Sequence, residues 1–442
     1  MKKQYNGTWE SLNSHEVPAW YHDCKFGIFI HWGLYSVPAY APITWQLGEV
    51  PIDENWYANN PYAEWYFNSV NVGRGPTYEH HIKTYGIDFK YEDFVSMWKV
   101  DNYKPDKWAE LFRKAGAAYV VMVTKHHDGF CLFPSKYTDY NAMKKGPKRD
   151  LVGDLTNAVR AQGMKMGLYY SGILDWRFAH DPIIEQNDNF NKACPTYEYA
   201  DYAYNQSCEL IDNYKPSVFW NDIGWPKQGE QNLPYLLSHY YNNVEEGVVN
   251  DRFNGLYHDF RTMEYKYGES NRMEKWEMNR GMGLSFGYNA IEEDDKIMSV
   301  EDTISLLVST VSNNGNLLLN IGPKADGTIP KEQEKRLLSI GQWLAVNGEA
   351  IYGTRCSKRE SAIDESGVQI HYTKKKKDLY VMLDKVPQGA FEVVIPDLSG
   401  EIRALDDKIF YDFEAFGTGV KIKIHSHQTS IGSIAFKVPG GE

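Results

Sequence analysis

The sequence has few cysteines and none of them pair by spacing. The five (Cys24, Cys131, Cys194, Cys208 and Cys356) are odd in number, widely separated and free of any CxxC. Neither a disulfide framework nor a zinc knuckle is expected. No run of about eighteen apolar residues occurs, so no transmembrane helix is expected. Met1–Asn6 lacks an apolar signal core, which predicts a cytoplasmic protein. Basic residues are in deficit, 47 against 59 acidic, for a net charge of −12. That balance argues against nucleic acid and anionic membranes as partners. HExxH and GxxxxGK[ST] are both missing. The glycines Gly281, Gly283 and Gly287 do not sit between a strand and a helix as a dinucleotide fingerprint requires. No metal and no cofactor are called for.

What the chain has is aromatic side chains. There are 32 Tyr and 13 Trp among 442 residues, concentrated before residue 300. Rings that stack and hydroxyls that bond suit carbohydrate, although an aromatic core would show the same composition. The length allows two or three domains of ordinary size, or one barrel plus an appendage.

The most informative stretch is Ser217-Val218-Phe219-Trp220-Asn221-Asp222-Ile223-Gly224-Trp225-Pro226. A β-prone run ends in an acid and is stopped by glycine and proline. Alternation puts Val218, Trp220 and Asp222 on one face. Similar strands are read at 26–33, 118–130 (running into a polar turn), 164–171 and 316–322, separated by helices at 105–116, 151–162, 197–214, 232–243, 299–313 and 331–346. Each strand carries its polar residues at its far end. The reading is an α/β chain: a (β/α)8-like barrel over residues 1–352, with its site at the C-terminal rim. Between 253 and 290 only short extended pieces are legible, so some outer helices should be missing. Residues 34–104 read as a long aromatic loop forming an ordered lid. After Gly353, five short alternating strands predict a small antiparallel β-sandwich over 353–442, with Lys374–Lys377 in a solvated hairpin.

Four acids fall at or near predicted strand ends: Asp222, Glu264, Glu277 and Glu64. Retaining glycoside hydrolysis needs two such groups, one to attack and one to move the proton. His126 and His127 are read as strand neighbours pointing to opposite faces, which disfavours a shared metal. Arg252 could orient a carboxylate, hold a hydroxyl, or pair with Asp251.

Phe26–Gly33, Glu64-Trp65-Tyr66, Lys125-His126-His127-Asp128-Gly129-Phe130, Tyr169-Tyr170-Ser171, Trp220-Asn221-Asp222, Trp276-Glu277 and Asn313–Pro323 together resemble the retaining α-L-fucosidase family of glycoside hydrolases. The resemblance spans about residues 10 to 355. It implies Asp222 as nucleophile and a fucose pocket lined by His31, His126, His127, Tyr169, Trp220 and Arg252. It also brings Glu64 and Trp65 from the insertion and Phe286 near the sugar methyl. The acid/base is read as Glu264, set among Met263, Tyr265 and Tyr267, with Glu277 and then Glu64 as competitors. Glu277 is otherwise counted with the pocket. The implied partner is a fucosylated oligosaccharide or glycoconjugate, with a homo-oligomer left open. A hydrolase of another sugar, or a lectin-like barrel that binds without cleaving, are the rival readings.

Overall fold

The computed structural model describes residues 3–47, 49–188, 192, 194, 196–255, 257–265, 272–427 and 432–441. Tyr267 lies outside them. Eight parallel strands form one curled sheet: β1 (Phe26–Ile30), β2 (Tyr119–Lys125), β3 (Lys165–Ser171), β4 (Val218–Asp222), β5 (Val248–Val249), β6 (Arg261–Glu264), β7 (Trp276–Gly281) and β8 (Gly315–Ile321). Their order is β5-β4-β3-β2-β1-β8-β7-β6. The curl closes between β5 and β6 through one isolated parallel bridge, Asn250 with Phe260. The (β/α)8-like barrel expected from sequence is therefore present, with a thin seam.

Alternation along the strands sorts the residues into two layers. Phe29, Val121, Tyr169, Val218, Trp220 and Leu318 pack together inside the barrel. Their neighbours Ile28, Ile30, Val120, Met122, Leu168, Phe219, Leu317 and Leu319 pack outward under the helices. Those helices fall where the sequence placed them: Pro105–Lys114, Leu151–Ala161, Tyr197–Tyr214, Leu233–Asn243, Val300–Ser312 and Lys331–Asn347. Pro105 opens the first, and the side chains of Asp150, Thr196 and Ser299 cap three others by accepting a backbone N–H. Among the described residues, no helix joins β5 to β6 or β6 to β7.

The segment 34–104 differs from the loop that was expected. It folds into short helical pieces, including Glu54–Ala58, Ala63–Trp65, Tyr66–Asn71 and Pro76–Tyr85. Trp56, Tyr57, Tyr62 and Trp65 pack with Ile173, Leu174, Trp176 and Phe286 in one buried cluster over the barrel mouth. A helix this short gains its stability from such packing, so its own sequence signal is weak.

Beyond the barrel, a six-stranded and a three-stranded antiparallel sheet enclose a separate apolar core. The five expected strands are there. Ile409–Phe416, which the sequence did not suggest, is an edge strand whose residues from Phe410 onward are largely exposed. Exposure on both faces removes the alternation that marks a half-buried strand. Lys376, with φ of 57°, turns the hairpin between Gln369–Lys375 and Asp378–Asp384. No helix among the described residues is long and apolar enough to cross a membrane.

Candidate active site

The C-terminal ends of the strands converge on a cavity of about 180 Å3. Its walls include His31, Glu64, Trp65, His126, His127, Tyr169, Trp220, Asp222, Arg252, Glu264 and Phe286, every pocket residue expected from sequence except Glu277. Phe29, Leu47, Ile52, Trp56, Tyr62, Ile223 and Asn279 also line it and were not anticipated. Among these, Asn279 had a sequence signal: it is two residues along β7 from Glu277 and pairs in register with Glu264.

Asp222 ends β4 and is largely enclosed. The Tyr169 hydroxyl donates to its Oδ2 at 2.7 Å. Arg252 Nη1 and the Ile223 N–H donate to its Oδ1 at 2.6 and 2.9 Å. Trp220, two residues earlier on the same face, stacks on Tyr169 with centroids 5.5 Å apart and lies under the Arg252 guanidinium at 4.9 Å. Arg252 also donates through Nη2 to Glu264 at 2.9 Å and through Nε to Thr262 at 2.9 Å. Asp251 does not pair with Arg252; its carboxylate accepts from the Thr262 N–H and hydroxyl. One guanidinium therefore holds both carboxylates. Burial alone would lower the Arg252 pKa, but Asp222 and Glu264 outweigh it and raise it.

Glu264 ends β6. Burial raises its pKa first, Arg252 opposes the rise, and Asp222 adds to it. Both carboxylates are followed by a residue in the left-handed region, Ile223 at φ 61° and Tyr265 at φ 55°. Such a conformation costs a non-glycine residue energy and turns the chain sharply off the strand. Each acid is thereby left as the last residue of its strand.

Glu277 is placed differently from a sugar-contacting residue. It lies fully buried below the cavity floor, where its carboxylate accepts from the hydroxyls of Tyr21 at 2.9 Å and Tyr119 at 2.6 Å and from Trp220 Nε1 at 2.9 Å. It faces inward as read, but one layer too deep. Burial raises its pKa against those three donors. Glu64, by contrast, reaches the cavity and accepts from the Gly287 N–H at 2.7 Å. Burial pushes it up to about 7.

His126 and His127 also depart from the expectation of opposite faces. β2 ends at Lys125, so both lie in the turn that follows, where strand alternation no longer applies. Both line the cavity, with ring centroids 4.0 Å apart. His127 Nε2 is 4.0 Å from Asp222 Oδ2. Burial lowers the pKa of His31 to about 4 and lowers those of His126 and His127 as well, so the rings are neutral donors and acceptors. Among the described residues, no group of three His, Cys, Asp or Glu could hold a metal ion.

A rim with two acids on one cation, an aromatic floor and neutral imidazoles suits cleavage of a bond to a sugar. The class this defines is a glycoside hydrolase on a parallel barrel. Comparison with known proteins narrows the class. The family model described as Alpha-L-fucosidase matches residues 1–349. An α-L-fucosidase of Dictyostelium discoideum is 35% identical over 366 residues, 80% of this chain and 75% of that one. A Thermotoga maritima α-L-fucosynthase, solved with an α-(1-2)-linked fucosyl-fucosyl azide, is 48% identical with a TM-score of 0.93, covering 99% of this chain and 100% of that one. A Thermotoga maritima α-fucosidase in complex with fucose is 46% identical with a TM-score of 0.89, covering 98% of this chain and 100% of that one. The chain belongs to the α-L-fucosidase family of glycoside hydrolases.

Proposed function

We propose that the protein removes terminal α-L-fucose from fucosylated oligosaccharides or glycoconjugates with retention of configuration, through a covalent fucosyl-enzyme ester on Asp222. The observation that carries this reading is the Arg252 bridge, which holds Asp222 and Glu264 on one guanidinium. Retention requires two carboxyl groups roughly 5–5.5 Å apart, and a shared guanidinium suits that range. Asp222 attacks the anomeric carbon as a carboxylate while Glu264 protonates the departing oxygen. Glu264 then takes a proton from the water that cleaves the ester. Burial keeps Glu264 protonated toward higher pH, as an acid needs.

Glu277 is ill placed for that role because Tyr21, Tyr119 and Trp220 occupy its oxygens. Glu64 shares no cation with Asp222, and we assign it to a sugar hydroxyl. Phe286 provides the apolar wall for the sugar's methyl group, and Trp220 the floor. The cavity of about 180 Å3 is smaller than the roughly 300–1,000 Å3 of common ligand pockets and suits a single ring, hence exo-action. The chemistry belongs to the barrel, assigned residues 1–352; no described residue of 353–442 lines the cavity. The test is mass spectrometry after reaction with a 2-deoxy-2-fluoro-fucosyl fluoride. The Asp222 peptide should carry the label. A label elsewhere, or an inverted product anomer by NMR, overturns the scheme.

A further inference from the structure

Two cavity histidines are each tethered at Nδ1 by a polar side chain that has no other role so far. Asn320 Nδ2 lies 2.7 Å from the Phe286 carbonyl oxygen, which can only accept. The amide nitrogen must therefore be the donor there, and the amide oxygen faces His31 Nδ1 at 2.7 Å. An amide oxygen cannot donate, so the proton of neutral His31 sits on Nδ1. The same logic holds across the pocket. The Ser171 hydroxyl donates its one hydrogen to the Leu174 carbonyl at 2.8 Å, so its oxygen accepts from His127 Nδ1 at 2.6 Å. In both rings, Nε2 is left as a lone pair.

We infer that Asn320 and Ser171 are positioning residues that fix His31 and His127 as hydrogen-bond acceptors, so that the pocket selects a sugar offering two hydroxyl hydrogens to those rings. His127 Nε2 already faces the site, 4.0 Å from Asp222. Asn320 does a second thing with the same amide. By holding the Phe286 backbone it ties the proposed methyl wall to the hydroxyl acceptor, His31, whose ring lies 4.9 Å from that of Phe286. His126 is the contrast, because its buried Nδ1 has no partner and its tautomer is left free.

This inference rests on the proposed sugar site, but its first readout does not need activity. In 15N-histidine-labelled wild-type protein, long-range 1H–15N spectra should show His31 and His127 neutral with the proton on Nδ1, assigned through His31→Gln and His127→Gln. A proton on Nε2 of either ring overturns the inference even if fucoside hydrolysis is normal. Loss of hydrolysis on every fucoside, with the tautomers as stated, would instead sink the proposed function. Ser171→Ala should move the His127 proton to Nε2 and raise KM for an aryl fucoside by about tenfold or more, the cost of one lost buried hydrogen bond. Ser171→Thr should restore both. An unchanged tautomer in Ser171→Ala overturns the assignment. Asn320→Leu should raise KM similarly while narrowing the preference for fucose over a deoxy analogue lacking the bonded hydroxyl; an unchanged preference counts against it.

Discussion

The two halves of the barrel rim hold their side chains by different means. In β1 to β4 the strands run five to seven residues, and β2 to β4 are each followed by a long helix. Ladder bonds and helix packing place His31, Tyr169 and Asp222 there. In β5 and β6 the strands are two and four residues long, and the barrel closes on one bridge. There, side chains do the placing. Thr262 ties Arg252, Arg252 ties Glu264, and Glu64 and Glu292 accept the backbone N–H groups of Gly287 and Ser285 on either side of Phe286. The lesson concerns division of labour. In the proposed mechanism, the group that bonds to carbon comes from the stiff half, and the group that only shuttles a proton comes from the half held by side chains.

The largest test of that division removes the acid of the stiff half. Asp222→Gly should lower kcat on an aryl α-fucoside by about 10^4-fold or more. Azide should restore turnover and give the β-azide. On the other half, Glu264→Ala should cost about 10^2–10^4-fold, less for good leaving groups, and azide rescue should give the α-azide. Should Glu64→Ala show the α-azide signature instead, the proton shuttle has been placed on the wrong element.

The same division decided what the sequence could tell. β4 was legible because apolar alternation, a terminal acid and a glycine stop all agree between Val218 and Gly224. The helices at 105–114 and 197–214 carry periodicity and start signals. The insertion at 54–71 was not legible as helix, because its short turns exist only through packing of Trp56, Tyr62 and Trp65 on the barrel mouth. The histidine pair was misjudged because strand alternation was extended past Lys125. The depth of Glu277 depends on barrel tilt, which pattern alone does not encode. Asn320 could have been noticed as a polar residue sharing a face with Leu318 just after the apolar run Leu317–Leu319.

A third experiment cuts the link between the halves. Arg252→Met should lower kcat/KM by about 10^2–10^3-fold, the scale for losing one charge-stabilising donor. It should also move the alkaline limb of the pH profile upward. Arg252 lowers the Glu264 pKa, so without it the acid keeps its proton to higher pH. Asp222, Asn279, Tyr62 and Tyr265 remain as the groups facing Glu264. A profile that only shrinks, with its alkaline limb in place, would mean that the guanidinium serves one half alone.

The smallest effect separates the halves by stability rather than rate. Burial pushes Glu292 from 4.5 up to about 7, while in the turn after β2 it pushes Asp128 from 3.8 up to about 6. Both native pKa values exceed the unfolded ones, so the native state holds a proton that the unfolded chain has released. Each group's contribution is complete below its unfolded pKa and is lost as pH rises through its native one. The windows differ: about 3.8 to 6 for the stiff half and about 4.5 to 7 for the other. Each contribution is at most about 3 kcal/mol. Glu292→Gln should therefore flatten the fall in urea-unfolding free energy between pH 4.5 and 7, and Asp128→Asn should flatten the lower window only. Identical pH slopes in wild type and Glu292→Gln would show that the loop bearing Phe286 is held by something other than its buried acids.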